Sequence, residues 1–245
     1  MRAGLESIGM NSDLNNCRDS ASLKAVPLFP LPNVVLLPGA LLPLHIFEER
    51  YKAMTAHALS GNRQIAMALL SPGWEKCYYA RPAIEPVVCV GSIVSHERLA
   101  DGKFNFLLRG ETRARIDREL CCGTANAPLY RIAHLKPLPE TDTLEIDLSH
   151  ERQRLHTMLT EGWLADLPFV QQMHVLLRSA MRTADIADLV AFHLLDDVPL
   201  KQSILADGDI CRRVNRVLGA LSSLESPMVE QLLHNPAGMA DPTRN

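Results

Sequence analysis

Between residues 26 and 43 the chain places five prolines among apolar residues. The run is Val26-Pro27-Leu28-Phe29-Pro30-Leu31-Pro32, then Asn33-Val34-Val35-Leu36-Leu37, then Pro38-Gly39 and Pro43. Proline has no N–H for a sheet ladder and breaks a helix interior. The segment is therefore expected to be extended and to lie at a sheet edge, to begin a strand or to bulge. Pro38-Gly39 marks a turn between two extended pieces, and a helix is expected to follow.

The rest of the front half alternates with period two. Phe104, Phe106 and Leu108 alternate with Asn105 and Leu107. Asp101-Gly102 just before them is a hairpin-turn signal, because glycine accepts the positive φ of a tight turn. Val88, Val90 and residues 92–95 supply the partner strand. Ala114 and Ile116 point one way while Arg113, Arg115 and Asp117 point the other, which predicts a half-buried strand with a charged outer face. Residues 64–71 and 129–135 are two more strands. Short strands paired non-locally favour a small barrel or sandwich over a doubly wound sheet. One helix interrupts them, from about residues 44–47 to Leu59, stopped by Ser60-Gly61.

Near residues 137–143 the period changes to that of a helix. Leu155, Met158, Leu159 and Trp163 share a face, and Pro168 opens a second helix running to Met181. Ile186, Leu189, Val190 and Leu194 form a third stripe, and residues 199–206 a short fourth helix. Ile210, Val214, Val217, Leu218, Leu221 and Leu224 form the last, after Asp207 or Asp209 as N-cap. The chain thus divides into a loose leader (1–23), a β-rich part (24–140), a helical part of the same unit (141–226) and a tail (227–245).

Composition excludes several classes. With 47% hydrophobic and 22% charged residues the chain is globular rather than disordered. A net charge of −3 offers no global attraction for nucleic acid or anionic lipid. No apolar run is long enough to span a membrane, and the polar start does not read as a secretory signal. Six cysteines without a CxxC pair suggest reduced thiols, a cytoplasmic location and no thiolate zinc site. His150 and His156, six apart, fall on different helix faces and predict no metal pair. His45 is expected to serve as a structural hydrogen-bonding residue, with Glu48 or Glu49 stabilising the helix start. The arginines at 109, 113, 115 and 118 are interleaved with Glu111, Asp117 and Glu119, which predicts a nearly neutral charged face. Stacking aromatics are scarce as well, at 5%. Cys121-Cys122 reads as a loop feature. Trp74, near Tyr78 and Tyr79 in a loop marked by Gly and Pro, is a candidate anchor for a partner.

From Val26 to Tyr51 the chain closely resembles the opening of the N-terminal domain of Lon proteases, P-L-F-P-L-P…V-L-F-P-G…L-P-L-H-I-F-E-x-R-Y, with Leu37 where phenylalanine is common. Val90-Gly91, Asp101-Gly102 and the run from Leu108-Arg109-Gly110 through Arg113 to Ile116 are similar to that family's "V-G … D-G … L-x-G-x-x-R-x-x-I" strands. Residues 128–135 resemble its next strand. Lys201-Gln202-Ser203-Ile204-Leu205 and Cys211-Arg212-Arg213-Val214 resemble its helical half. The likeness covers residues 24–225 and implies an α+β fold, a PUA-like pseudo-β-barrel followed by a C-terminal helical bundle. None of the six lysines sits in a G-x-x-x-x-G-K-S/T phosphate loop, and no serine–lysine peptidase module is expected within these residues.

The resemblance is accordingly to a stand-alone, non-catalytic substrate-recognition domain with no cofactor, metal or catalytic residue. It implies binding of unfolded or partly unfolded polypeptides in a groove between barrel and bundle. An adaptor role in protein quality control would follow, presenting clients to a separate protease or chaperone. A PUA-like nucleic-acid-binding module is the alternative, disfavoured by the charge balance. Leu36, Leu42, Phe47, Arg50, Tyr51 and Trp74 are the candidate polypeptide contacts.

Overall fold

The computed structural model describes residues 23–78, 80–120, 128–161 and 163–224. The leader up to residue 22, the tail from residue 225, Tyr79 and the Cys121-Cys122 pair lie outside the described residues. The front half comprises β1 (Leu23–Leu31), β2 (Leu41–Ile46), a helix α1 (Glu49–Ser60), β3 (Gln64–Leu69), β4 (Val87–Arg98), β5 (Phe104–Glu119) and β6 (Arg131–Pro137). The sheet order is β2-β5-β4-β3-β1-β6, and β5 also pairs with β6. Five strands therefore close into a ring, with β2 attached outside it along β5. Only β1 and β3 run parallel; the other pairings are antiparallel.

Alternation along the strands divides the apolar residues between two cores. Val26, Leu28, Ala66, Ala68, Val88, Val90, Ala114, Ala133 and Leu135 form one cluster, drawn from all five ring strands. Four of the nine are alanines, as a ring this narrow requires. The opposite faces of the strands, with Phe29, Ile65, Met67, Val87 and Cys89, join the second and larger core beneath the helices.

The first helix begins at Glu49, later than residues 44–47. Leu41–Ile46 instead pair residue by residue with 104–109 of β5 and continue as a strand. The apolar positions Leu42 and Ile46 keep a period of two there, and Glu48 turns the chain into α1 from an extended conformation. Across the β2–β5 pair, His45 Nδ1 and Asn105 Oδ1 lie 2.7 Å apart.

A second correction concerns Arg113. Opposite β5, Val90 pairs with Thr112 but Gly91 pairs with Gly110, so Glu111 is an extra residue in a bulge. Beyond the bulge Ala114 faces the ring core and Arg113 faces the helical half, where it meets Asp188. Arg113 is consequently 4% exposed rather than part of a charged outer surface. Glycine is required at the bulge. Gly110 donates to the Ala40 carbonyl and accepts from the Gly39 N–H, both at 2.9 Å. A Cβ there would stand 2.2 Å from the Leu37 carbonyl oxygen.

The helical half comprises α2 (Ser149–Thr160), α3 (Pro168–Leu177), α4 (Thr183–Leu194), α5 (Val198–Leu205) and α6 (Ile210–Ser222). Asp209 is the N-cap of α6, accepting the Arg212 N–H at 3.0 Å. Eight residues of α4 are buried, including Ala184, Ala187, Asp188 and Ala191, so this helix is the centre of the helical half. Arg182 provides no side-chain cap for α4. Its role falls to Glu145, which accepts the Thr183 N–H at 3.0 Å. Arg152 secures the same corner by donating to the carbonyls of Leu177, Ser179 and Met181. Among the described residues no helix is long and apolar enough to cross a membrane.

Gly110→Ala should destabilise the protein by about 1–3 kcal/mol, the range for an overpacked core. Gly219→Ala, on an exposed turn of α6 with nothing near its added methyl, should gain about 0.5–1 kcal/mol. Urea denaturation of the two variants checks both signs.

The His193 ring stacks on Phe169 with centroids 3.9 Å apart. Burial, aided by Lys201, lowers its pKa to about 4. The neutral ring therefore stabilises the fold fully above its ordinary value near 6.5, and that stability is lost as pH falls towards about 4. Melting temperature measured across this window should fall in the wild type and fall less in His193→Phe.

Candidate functional site

Two openings in the surface are lined by residues from several elements. The larger, about 460 Å³, lies between barrel and helices. One wall is the Pro38-Gly39 turn with the bulged part of β5 from Arg109 to Arg113; the other carries Met181, Arg182, Asp185 and Leu189 from the α3–α4 corner and α4. Leu138 and Glu140 close the end, on the connection that leaves β6.

A charge cluster lies beneath this groove. Arg113 donates to Asp188 at 2.6 Å, and Arg213 Nε stands 3.3 Å from the same carboxylate oxygen. Glu140 accepts from Arg213 at 2.7 Å and from Arg182 at 3.2 Å, and Arg113 Nη1 lies 3.5 Å from it. Asp188 and Arg213 are both fully buried. Burial pushes the Asp188 carboxyl up, against the pull of Arg113 and Arg213. Burial acts on Glu140 in the same sense, but Arg213, Arg113 and Arg182 together hold it below the usual carboxylate range. At the rim Arg109 pairs with Glu111 at 2.8 Å and Arg182 with Asp185 at 2.6 Å. The groove thus offers half-buried apolar groups (Pro38, Leu138, Met181, Leu189) among charges that are already paired.

The smaller opening, about 60 Å³, is a cleft at the start of α1. The Arg50 guanidinium lies over the Tyr51 ring at 4.5 Å and near the Tyr78 ring at 5.1 Å. Its Nε donates to Glu48 at 2.9 Å, and the Tyr78 hydroxyl donates to the other Glu48 oxygen at 3.2 Å. Arg81, Tyr130 and Arg131 complete the lining.

Three of the six candidate contact residues meet around this cleft. Arg50 and Tyr51 line it, and Trp74 packs edge-on against Tyr78 at 5.5 Å. Leu36 and Leu42 are 1% and 3% exposed in the core beneath β2 and have no surface for another chain to touch. Phe47 is exposed, close to His45, and lines neither opening. Sequence reasoning did not single out Met181 or Leu189 in the groove, or Asp188 and Arg213 under it. A signal existed for the last two: each interrupts an apolar helical stripe, and a charge there must find a partner when buried. Of the four clustered arginines, Arg109 and Arg113 are engaged by carboxylates, which removes them from any phosphate-binding patch. The Cys89 thiol is buried and pushed up to about 12 by desolvation, so it is not a nucleophile at neutral pH. Among the described residues no group of three or more His, Cys, Asp or Glu could hold a metal ion.

Comparison with known proteins places this architecture. The family model described as the ATP-dependent protease La (LON) substrate-binding domain matches residues 25–223. The chain is 23% identical over 211 residues to a Lon protease of Desulfosudis oleivorans, covering 81% of this chain and 24% of that protein. It is 29% identical over 184 residues to Lon protease 2 of Syntrophobacter fumaroxidans, covering 73% and 22%. The chain spans about a quarter of the length of these relatives. Among solved structures, a Lon N-terminal domain protein from Xanthomonas campestris superposes with a TM-score of 0.56 at 24% identity, covering 80% of this chain and 98% of that one. The N-terminal domain of a Mycobacterium avium complex Lon protease gives 0.62 at 16%, covering 82% and 100%. These likenesses carry the fold, an α+β barrel with a helical half, as the resemblance implied.

Asp188→Asn removes the carboxylate shared by two buried guanidiniums. A loss of about 3–5 kcal/mol is expected, as when one partner of a buried ion pair is deleted, measured by urea denaturation.

Proposed function

The chain belongs to the LON substrate-binding domain family, and from that premise we propose that it binds unfolded or partly unfolded polypeptides without chemistry of its own. The observation that carries this reading is the groove of about 460 Å³ between the barrel and the helices. It is open, apolar in patches and lined by charges whose partners are within the domain. Such a surface accepts a segment by its apolar side chains and does not demand one sequence. Burial of apolar area at about 25 cal/mol per Å² drives the contact, and the entropy of ordering a flexible client opposes it. Affinity per site is therefore modest. The domain then serves as an adaptor in protein quality control, holding clients for a separate protease or chaperone. The burial of the Cys89 thiol is in keeping with a passive role for this domain.

Purified protein should slow the aggregation of a reduced, unfolded model client while hydrolysing neither ATP nor casein. Met181→Glu and Leu189→Glu put a charge where an apolar client residue would lie, and each should weaken client binding by about tenfold, read by fluorescence anisotropy of a labelled client. Unchanged binding in both variants, or turnover of casein by the pure protein, would overturn the reading.

A further inference from the structure

The geometry points to a second binding site: the cleft at the start of α1 takes a carboxylate, from the free end of a bound chain or from an acidic side chain on it. The inference deepens the polypeptide reading, on which its peptide arm rests.

Two buried polar atoms of residues that line this cleft, Arg50 Nη2 and the Tyr51 hydroxyl, have no hydrogen-bond partner among the described residues. Tyr51 is only 4% exposed, and both residues line the cleft. Leaving such groups unpaired is costly, so a buried guanidinium nitrogen and a buried phenol on adjacent residues each call for an acceptor. The nearby carboxylates are already engaged. Glu48 accepts from Arg50 Nε and Tyr78. Glu119 accepts from Arg131 through both oxygens and lies 3.9 Å from Arg81. The Tyr130 hydroxyl is engaged by His57 Nδ1.

Charge and size narrow the ligand. Three guanidiniums line the cleft and no acidic residue does. Against them stand Glu48 and Glu119 behind the lining, which leaves one positive charge in excess. A volume of about 60 Å³, at about 10–15 Å³ for each water, has room for about four to six waters. That is the room for a carboxyl group and the carbon that bears it. One excess charge, an arginine N–H and a phenol O–H suit a planar monoanion, which guanidinium recognises well.

The test has two arms on the full chain. In the first, melting temperature is measured in sodium acetate and in sodium chloride at equal ionic strength and neutral pH. Acetate should raise the wild-type value, and Tyr51→Phe should abolish that rise. Tyr51→Phe keeps the ring in the core and removes an unpaired hydroxyl, so it should melt higher than wild type in chloride. Arg81→Gln, a change at an exposed rim residue, should reduce the acetate effect without altering the fold. In the second arm, peptides of one sequence carry a free or amidated C-terminus, and Glu or Gln within. Loss of the anchoring carboxylate should weaken binding tenfold or more, and Tyr51→Phe should weaken the intact peptide equally.

Sensitivity to amidation assigns the anchor to the chain end, and sensitivity to Gln assigns it to a side chain; either supports the site. A specific acetate effect with no peptide binding also supports it while removing the polypeptide reading. An equal acetate response in wild type and both variants overturns it, as does stronger stabilisation by inorganic phosphate than by acetate.

Discussion

The fold depends most on the carboxylate of Asp188, buried at the centre of the helical half and facing Arg113 of the barrel and Arg213 of α6. An isolated charge in that position would be prohibitive, and the two guanidiniums offset it only through close contact. Four separate parts of the chain must therefore meet in one arrangement: β5 for Arg113, α4 for Asp188, α6 for Arg213 and the connection after β6 for Glu140. Apolar packing fits the helices to the barrel face by shape, and the buried charges add a directional constraint. The hydrogen bond from Arg113 to Asp188 has direction, and the ion pair of Arg213 with the same carboxylate oxygen adds to the constraint on this interface.

The requirement extends back into the barrel. Arg113 can reach α4 only because the bulge at Glu111 turns its side of β5 toward the helices. The bulge is in turn held by the backbone of Gly39 and Ala40 against Gly110. The proline-rich segment thus does more than edge the sheet. Its Pro38-Gly39 turn clamps the bulge that aims the arginine, and the same turn forms one wall of the groove. On the opposite wall, Arg152 and Glu145 hold the α3–α4 corner from which Met181 and Arg182 project. Rigidity of the groove and stability of the fold therefore rest on the same contacts.

Much of this was legible in the sequence. Period-two alternation located the strands from Val88 onward, and the change of period near residue 140 separated barrel from helices. The motif at 26–51 led to the family. Legibility failed where a local pattern depends on what packs against it. Leu42, Leu44 and Ile46 suit either a strand or the approach to a helix, and only their pairing with β5 decides between them. Arg113 sits in an alternating charged stripe, yet a single inserted residue and a distant helix make its side the interior. Leu36 and Leu42 belonged to the most specific motif, and their specificity reflects packing rather than access. Met181 and Leu189 resemble any half-buried apolar residue until the barrel is placed opposite them.

The two openings differ in a way that suits complementary roles. In the groove every named charge has an ion-pair partner within the domain, although Arg113 Nε, Asp188 Oδ2 and Arg213 Nε beneath it make no hydrogen bond. In the cleft Arg50 Nη2 and the Tyr51 hydroxyl are likewise without a hydrogen-bond partner, but here the lining also carries one positive charge in excess. A neutral, wide surface tolerates many sequences but sets no register along the bound chain. A small site that takes one charged group does set a register, and it adds little affinity beyond that group. Both openings can serve one client only where a linker of suitable length joins the two contacts, because effective concentration falls once the span exceeds what the chain can bridge. A domain that combines the two would recognise unfolded chains by composition and align them by one carboxylate.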